Sequence, residues 1–417
     1  MKTAVAGDHA LLVELERLSA SELHAAARSV KSIPGVVTCI VGHSSLYVIF
    51  EETPNVPAVL EALRAVNRQP LTVNRQLNFT VSFADDYGLD LAEFLARVGT
   101  TRDDFMNRIR DVRLVARYLG FRGGFAYLDG WPAEWAMPRR PTSRPVRRGS
   151  FAIAGAVAAF YPIDTPGGWN ILGRTNAELR IEPGDEITIV PTLEKISSPP
   201  SQSERRLTIP GVEIDGPLAI VTDKPFDVEA AELANLAVGN PLEAPVIECA
   251  MVVPKVRTKL TTVWVGPDAV VRRELPIGKI QGGLRGYVAC GAGVSPAFRP
   301  PKGRRDAGTT RTIVAIAGPH DIGLHEVECE VTPQLDRVGI RLRPLKPIAV
   351  SAPADLPSCG MQCGTVQLHP DGSLMVMGPD HPVTGGYLQP MTVISSERWK
   401  LAQLSPGGRV RFVVQPP

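Results

Sequence analysis

The first eighty residues alternate between two hydrophobic periods. Residues 11–15 read as a strand. Ser19 followed three positions later by Glu22 is the signature of a capping box, and Leu23, Ala27 and Val30 then recur on one helical face. Gly35 breaks that helix. Residues 36–41 and 46–50 read as a hairpin about Gly42-His43-Ser44. Val59, Leu60, Leu63 and Val66 mark a second helix. Leu77, Phe79, Val81 and Phe83 alternate with polar neighbours, as a half-buried strand does. The order β-α-β-β-α-β predicts a ferredoxin-like α/β lobe over residues 1–84. Its polar residues fall in turns and at helix ends, so no site is expected there.

Residues 86–118 predict two short helices, with Leu91, Phe94 and Leu95 on one face. From Gly120 onward the texture changes to short strands between glycines and prolines. Helical periodicity survives only around 228–238. Many short strands with frequent turns predict barrels or sandwiches, so the fold class is mainly β (α+β). The polar stretch 197–206 is the best linker, separating a domain over 85–196 from one over 207–417. The basic stretch 299–311, with Arg299, Lys302, Arg304, Arg305 and Arg311, reads as a solvated surface loop, with a phosphate-binding lid as the alternative.

Composition narrows the function classes. The 417 residues suit two or three domains at about 150 residues each. Lys+Arg 45 against Asp+Glu 43 leaves no electrostatic case for a nucleic-acid binder. Gly 38 and Pro 38 favour turns over a helix bundle. The longest apolar stretch, 151–163, is shorter than the roughly 20 residues of a membrane span, so no membrane partner is expected. Six cysteines without a CxxC pair and no signal-peptide pattern lead to the expectation of a reduced, cytoplasmic chain. No metal site is expected: His320 and His325, five apart, do not share a helix face, and no His pair stands beside Cys359 and Cys363.

Two constellations could carry chemistry. The first runs from Gly120 to Thr175 and holds Gly120 to Leu128, Arg139, Arg140, Arg144, Gly149-Ser150, Tyr161-Pro162, Gly167-Gly168-Trp169 and Gly173-Arg174-Thr175. Glycines let backbone N–H groups approach a ligand, and clustered arginines offer fixed bidentate donors to carboxylate or phosphate. Gly168 to Thr175 fits a phosphate-loop pattern with Arg174 in place of lysine. A strand-like 186–190 follows soon after instead of a helix, which argues against that reading. The cluster is therefore either a turn-rich barrel or a binding cleft. The second constellation holds Asp336-Arg337, Gln367, Asp380 and Thr384-Gly385-Gly386-Tyr387. Asp380 either faces a ligand at a barrel mouth or caps its own turn.

Together these segments resemble a known family. Residues 1 to about 195 resemble KipI (allophanate hydrolase subunit 1, the B-type component of 5-oxoprolinase) through Tyr87-Gly88-Leu89-Asp90-Leu91, Gly120-Phe121, Gly124-Phe125-Ala126-Tyr127-Leu128, Pro138-Arg139-Arg140, Arg144, Pro166-Gly167-Gly168-Trp169 and Gly173-Arg174-Thr175. Residues from about 207 resemble KipA (allophanate hydrolase subunit 2, the C-type component of 5-oxoprolinase) through Ala234-Asn235-Leu236, Glu248, Arg285-Gly286-Tyr287-Val288, Asp336-Arg337, Arg341-Leu342, Gln367, Asp380 and Thr384-Gly385-Gly386-Tyr387. The resemblance implies tandem cyclophilin-like β-barrels with the ferredoxin-like lobe in front. It also implies ATP-dependent opening of 5-oxoproline or a related lactam or amide, with Mg and a separate LamB/YcsF-type lactam-binding subunit. Phosphorylating the resonance-stabilised carbonyl oxygen makes the carbon electrophilic, and such transfer calls for cationic and backbone donors.

On that resemblance Arg139, Arg144 and Arg174 are candidates for anion binding, with Gly167 and Gly168 as close-approach backbone. Asp380 and Arg174 are the candidate catalytic pair, Asp380 for water or proton handling. Trp169, Thr175, Arg337, Gln367, Thr384, Gly385 and Tyr387 are expected to line the same cleft. Several family positions differ: Ile109 and Leu114 stand where a His and a Tyr are usual, Gly123 replaces a Pro, and Leu388 follows Tyr387 in place of Pro. These differences keep open a repurposed enzyme acting on another small carboxylate or amide, and a non-catalytic regulator of a sensor histidine kinase. With no Ala-Met-Lys-Met sequence, covalent biotin is not expected. Two barrels in one chain leave a homo-oligomer open.

Overall fold

The computed structural model describes all residues except 16–17, 66–74, 121–123, 198–206, 216–218, 251, 267–268, 276–277, 281–284, 292–309 and 350–355. The expected linker and the basic loop 299–311 therefore lie mostly outside the described residues, as do Val66, Phe121, Arg122 and Gly123.

The N-terminal lobe is a four-stranded sheet backed by helices Ala20–Lys31 and Val56–Ala65. Ser19 caps the first helix: its hydroxyl accepts from the Glu22 N–H, and Glu22 returns a bond to the Ser19 N–H at 2.8 Å. The hairpin strands are Val36–Val41 and Ser45–Phe50, and strand Ala10–Glu14 lies beside the second of them. A further strand, Lys2–Val5, forms the sheet edge. The strand expected to complete the lobe, Gln76–Ser82, pairs elsewhere. It runs parallel to Glu186–Thr192 and is a stave of the first barrel. Its inward Phe79 and Val81 fit an aromatic core of Phe83, Phe94, Phe105, Phe151 and Trp135, which the small lobe does not offer.

Two closed seven-stranded barrels dominate the molecule. The staves of the first, in chain order, are Gln76–Ser82, Leu114–Leu119, Ala126–Asp129, Ser150–Ala154, Val157–Phe160, Asn170–Arg174 and Glu186–Thr192. Those of the second are Thr310–Ala317, Glu326–Leu335, Gly339–Pro344, Thr365–Leu368, Leu374–Met377, Leu388–Val393 and Arg409–Gln415. Around each barrel the order is first, sixth, fourth, fifth, third, second, seventh. In both, the first and seventh staves are parallel. Each barrel also inserts a two-stranded ribbon built from the third-to-fourth and fifth-to-sixth connections: Arg144–Val146 with Thr165–Gly167, and Cys359–Gly360 with Thr384–Gly385. The two barrels are copies of one topology.

Before the second barrel stands a second lobe, a five-stranded sheet packed by helix Val228–Ala237. The pattern around 228–238 foretold that helix, but not a separate sheet. The N-terminal lobe is wedged between the barrels. Arg117 of the first barrel donates from Nε to the His43 carbonyl at 2.6 Å and from Nη2 to the Leu18 carbonyl at 3.0 Å. On the other side Gln362 donates to the Ala6 carbonyl at 2.9 Å, and the His43 N–H to the Ser358 carbonyl at 2.6 Å. Among the described residues no helix is long and apolar enough to cross a membrane.

Candidate functional site

The first constellation gathers at one mouth of the first barrel. Asp90, at the N-terminus of helix Leu91–Val98, is only 4% exposed, and its carboxylate is taken from three sides. The Ile171 N–H donates to it at 2.7 Å, Arg140 Nη1 at 2.9 Å, and Arg144 Nη2 completes the set. The Asp90 N–H in turn donates to the Ile171 carbonyl at 2.9 Å. Buried charge is tolerated where it is paired and hydrogen-bonded, so this carboxylate fixes the ribbon and both arginines. Asp90 lies within Tyr87-Gly88-Leu89-Asp90-Leu91, yet nothing in the sequence marks it as the keystone.

Arg139 is placed differently. It is exposed, it has no hydrogen bond or ion pair among the described residues, and its Nε lies 3.0 Å from where a Gly168 Cβ would stand. Gly167 is more crowded still, with the Tyr161 hydroxyl 2.2 Å from its Cβ position. Side chains at 167 and 168 would fill the space between guanidinium and aromatic wall, so glycine is required. That wall is Phe125, Tyr127, Tyr161 and Trp169, in edge contacts of 5.2 to 5.7 Å between ring centroids. Burial pushes the Tyr161 hydroxyl up, against the Trp169 N–H and the charges of Arg139 and Arg144. Arg174 donates from Nε to the Arg148 carbonyl at 2.9 Å. The buried Thr175 accepts from the Ala177 N–H through its hydroxyl at 3.1 Å. Asn170–Arg174 is a strand with no helix after it, which agrees with setting aside the phosphate-loop reading.

The second constellation divides. Thr384 crosses to the first barrel and donates to the Leu119 carbonyl at 2.7 Å, with its hydroxyl 2.4 Å from a Gly120 Cβ position. Gly385 lies over the buried Gln367, whose Nε2 would be 2.4 Å from a Cβ there. Tyr387 stacks on His369 at 4.3 Å. Asp380 belongs to another network. Its carboxylate receives Arg337 Nε at 2.7 Å and Nη2 at 3.0 Å, while Arg337 Nη1 reaches the buried Glu248 at 2.9 Å. Burial works against the Arg337 charge, but the Asp380 and Glu248 carboxylates hold its pKa raised. No contact joins Asp380 to Arg139, Arg144 or Arg174 among the described residues.

The mouth of the first barrel thus sets an exposed guanidinium beside two crowded glycines and an aromatic wall, on one of two duplicated barrels. The carboxyltransferase domain model for subdomains C and D matches residues 1–183, and that for subdomains A and B matches residues 300–414. The chain is 29% identical over 212 residues to the B-type component of 5-oxoprolinase from Escherichia coli O157:H7, covering 46% of this chain and 95% of that protein. It is 30% identical over 162 residues to the corresponding 5-oxoprolinase component of Haemophilus influenzae, covering 38% of this chain and 76% of that protein. The solved structure of TTHA0988 superposes with a TM-score of 0.75 at 23% identity, over 97% of this chain and 99% of that one, a likeness of fold. The chain belongs to the KipI/KipA family, as a fusion of the allophanate hydrolase subunit 1 and subunit 2 types.

Proposed function

We propose that this chain is the fused pair of B-type and C-type components of an ATP-dependent enzyme that opens a lactam or related amide C–N bond. The relation to the B-type component of 5-oxoprolinase supports the reading, as do carboxyltransferase subdomains C/D and A/B on one chain. The observation that carries it is Arg139, an exposed guanidinium beside Gly168 with no hydrogen bond or ion pair among the described residues. In the reaction the lactam carbonyl oxygen attacks the γ-phosphorus of ATP and ADP departs. Water then adds to the activated carbon, the C–N bond breaks as the nitrogen takes a proton, and a second water hydrolyses the resulting acyl phosphate to the carboxylate and inorganic phosphate. Charge builds on the phosphoryl oxygens, where a fixed guanidinium and backbone donors stabilise it most.

In this reading Arg139 holds that charge. Arg144, locked by Asp90, positions the ribbon that carries Gly167. Trp169 and Tyr161 form the wall, Arg174 and Thr175 close the stave behind it, and Thr384 with Gly385 covers the mouth from the second barrel. Gln367 and Tyr387 support that cover, and Arg337 anchors the turn bearing Asp380. For Asp380 to handle water or a proton, its pair with Arg337 has to open. Magnesium would arrive on the phosphates of ATP. The lactam pocket would come from a LamB/YcsF-type subunit. The test is release of ADP and glutamate from 5-oxoproline and ATP, with and without such a subunit. Partner-dependent release in equal amounts is expected. No release from folded protein in either mixture overturns the reading.

A further inference from the structure

The sheet of the N-terminal lobe has two outer strands, and the chain treats them differently. One is Lys2–Val5, four residues long and opening on a charge. The other is Val36–Val41, whose sequence Val36-Val37-Thr38-Cys39-Ile40-Val41 holds no charge, glycine or proline. Edges of that composition are ordinarily blunted or covered, because their unpaired N–H and C=O groups invite another strand.

The register identifies the unpaired groups. The Gly42 N–H donates to the Ser45 carbonyl at 2.8 Å and closes the hairpin. Bonded and non-bonded pairs alternate down an antiparallel ladder, so Val41 with Leu46 and Cys39 with Val48 are non-bonded pairs. The backbone N–H and C=O of Cys39 and Val41 therefore point outward from the sheet. Among the described residues no backbone group outside the sheet bonds to them.

A groove of about 320 Å³ runs beside this edge, lined by Cys39, Ile40 and Val41. Leu119 and Pro183 reach it from the first barrel, and Val383, 40% exposed, from beside the second ribbon. Val37, two residues before Cys39 on the same strand, is 55% exposed. Helix Ala20–Lys31 forms the remaining bank and brings Arg28 and Lys31 to the surface there. His24 on that bank is turned to the first barrel, with Nε2 3.1 Å from the Ala116 carbonyl. No lining residue is acidic.

That charge selects among occupants. A second copy paired edge to edge would bring two sets of Arg28 and Lys31 together, like charge against like. An acidic strand meets opposite charge instead, and its alternate side chains can seat on Leu119 and Val383 while its backbone completes the ladder.

We propose that the edge Val36–Val41 takes an extended acidic segment of a partner protein as a fifth strand, bonded to the backbone of Cys39 and Val41, with its carboxylates on Arg28 and Lys31. This goes beyond the proposed reaction and does not depend on it. The added strand would lie against the seam where Thr384 donates to the Leu119 carbonyl.

Fluorescence anisotropy on the full chain tests this with a labelled ten-residue peptide of alternating valine and glutamate. Two controls accompany it: the same peptide with lysine for glutamate, and the acidic peptide with every amide N-methylated, which keeps the charge and removes the ladder donors. The acidic peptide should bind with a Kd of about 100 μM or tighter, and each control about tenfold more weakly or worse. Arg28→Glu combined with Lys31→Glu, two exposed positions, should reverse the preference toward the lysine peptide. On the unaltered chain, amide exchange at Cys39 and Val41 should slow when the acidic peptide is bound, a readout that needs no variant. Absent binding of the acidic peptide, equal binding of its N-methylated form, unchanged exchange at Cys39 and Val41, or an unchanged preference in the folded double variant overturns the proposal. A dimer in sedimentation that Val37→Lys dissociates would give the edge to a second copy and overturn it as well.

Discussion

The two barrels share stave order, parallel closure and inserted ribbon, yet their mouths have opposite character. In the first, Asp90 grips the backbone of Ile171, the second residue of the sixth stave. In the second, His320 holds the same place: Gln389, again second in the sixth stave, donates its N–H to His320 Nδ1 at 3.1 Å, and the His320 N–H returns to the Gln389 carbonyl at 3.2 Å. Opposite Gly167 on the first ribbon stands Arg144; opposite Gly385 on the second stands Cys359. The first mouth presents arginines and exposed prolines at 145 and 166. The second is neutral and sealed, with Cys359 packed against Ala6, Leu12 and Tyr47 of the N-terminal lobe. Burial pushes the Cys359 thiol up to about 12, which keeps it protonated and unreactive. The topology fixes a backbone address, and the side chain placed there decides between a charged site and an interface.

The largest expected effect falls on the keystone. Asp90→Ala leaves Arg140 and Arg144 without their shared carboxylate, and removing one partner of a buried charge pair costs about 3–5 kcal/mol. Both arginines are about a third exposed, so the lower end, about 3 kcal/mol, is expected. His320→Ala removes one neutral hydrogen bond and should cost about 1 kcal/mol. Urea unfolding of both variants measures the contrast. Equal losses would mean that the two addresses are equivalent in energy and the comparison is only topological.

The sequence made the local chemistry legible and left the long-range chemistry dark. The capping box at Ser19, the hairpin after Gly35, the strand 76–82, and the helices Leu91–Val98 and Val228–Ala237 could be read because their signals are local in the chain. The duplication could not. Its trace is Thr165-Pro166-Gly167-Gly168-Trp169 against Thr384-Gly385-Gly386-Tyr387, too short to find by periodicity, and Asp90 and His320 share no chemistry. The family resemblance named the glycines and Arg139, but not that Arg139, unlike Arg144 and Arg174, would have no hydrogen bond or ion pair among the described residues. Nor could the sequence reveal that Asp380 would spend its carboxylate on Arg337, 43 positions away. Such pairings depend on which loops the closed barrels bring together.

The next effect separates chemistry from stability at the first mouth. Arg139→Gln should lower ATP-dependent turnover about a hundredfold, the order seen when one charge-stabilising donor is lost. Its unfolding midpoint should hold, because the side chain is exposed and has no hydrogen bond or ion pair among the described residues. Steady-state kinetics beside thermal melting checks both. A fall in stability without a fall in turnover would return Arg139 to the scaffold.

Acid should distinguish the barrels next. No histidine lies between residues 76 and 192, whereas the second barrel spans His320, His325, His369 and His381. Burial lowers the pKa of His320, His369 and His381 below the ordinary value, against the raising influence of Glu14 on His320 and of Asp380 on His381. A histidine with a depressed folded pKa contributes stability that is full above about pH 6.5 and is lost as pH falls through the folded value. Hydrogen exchange, corrected for intrinsic rates, should show the second barrel losing protection between about pH 7 and pH 5. The first barrel should change less. Loss in the first barrel alone would contradict the assignment.

The smallest effect tests how the mouths are joined. Thr384 is the residue of the second ribbon that bonds to the first barrel, through its 2.7 Å donation to the Leu119 carbonyl. Thr384→Val keeps the shape and removes the hydroxyl, which leaves that carbonyl short of a donor at a cost of about 1 kcal/mol. The loss lies at the seam, so it should appear as faster exchange at residues 114–119 and 384–385 and not at the barrel cores. If the ribbon also covers the reacting mouth, turnover should fall by only a few-fold with KM rising, because a cover holds ligand without touching the transferring charge. A larger fall in kcat with KM unchanged would place Thr384 on the reacting atoms instead. The second barrel would then be a contributor to the site of the first, and the sealed mouth would be the device that delivers it.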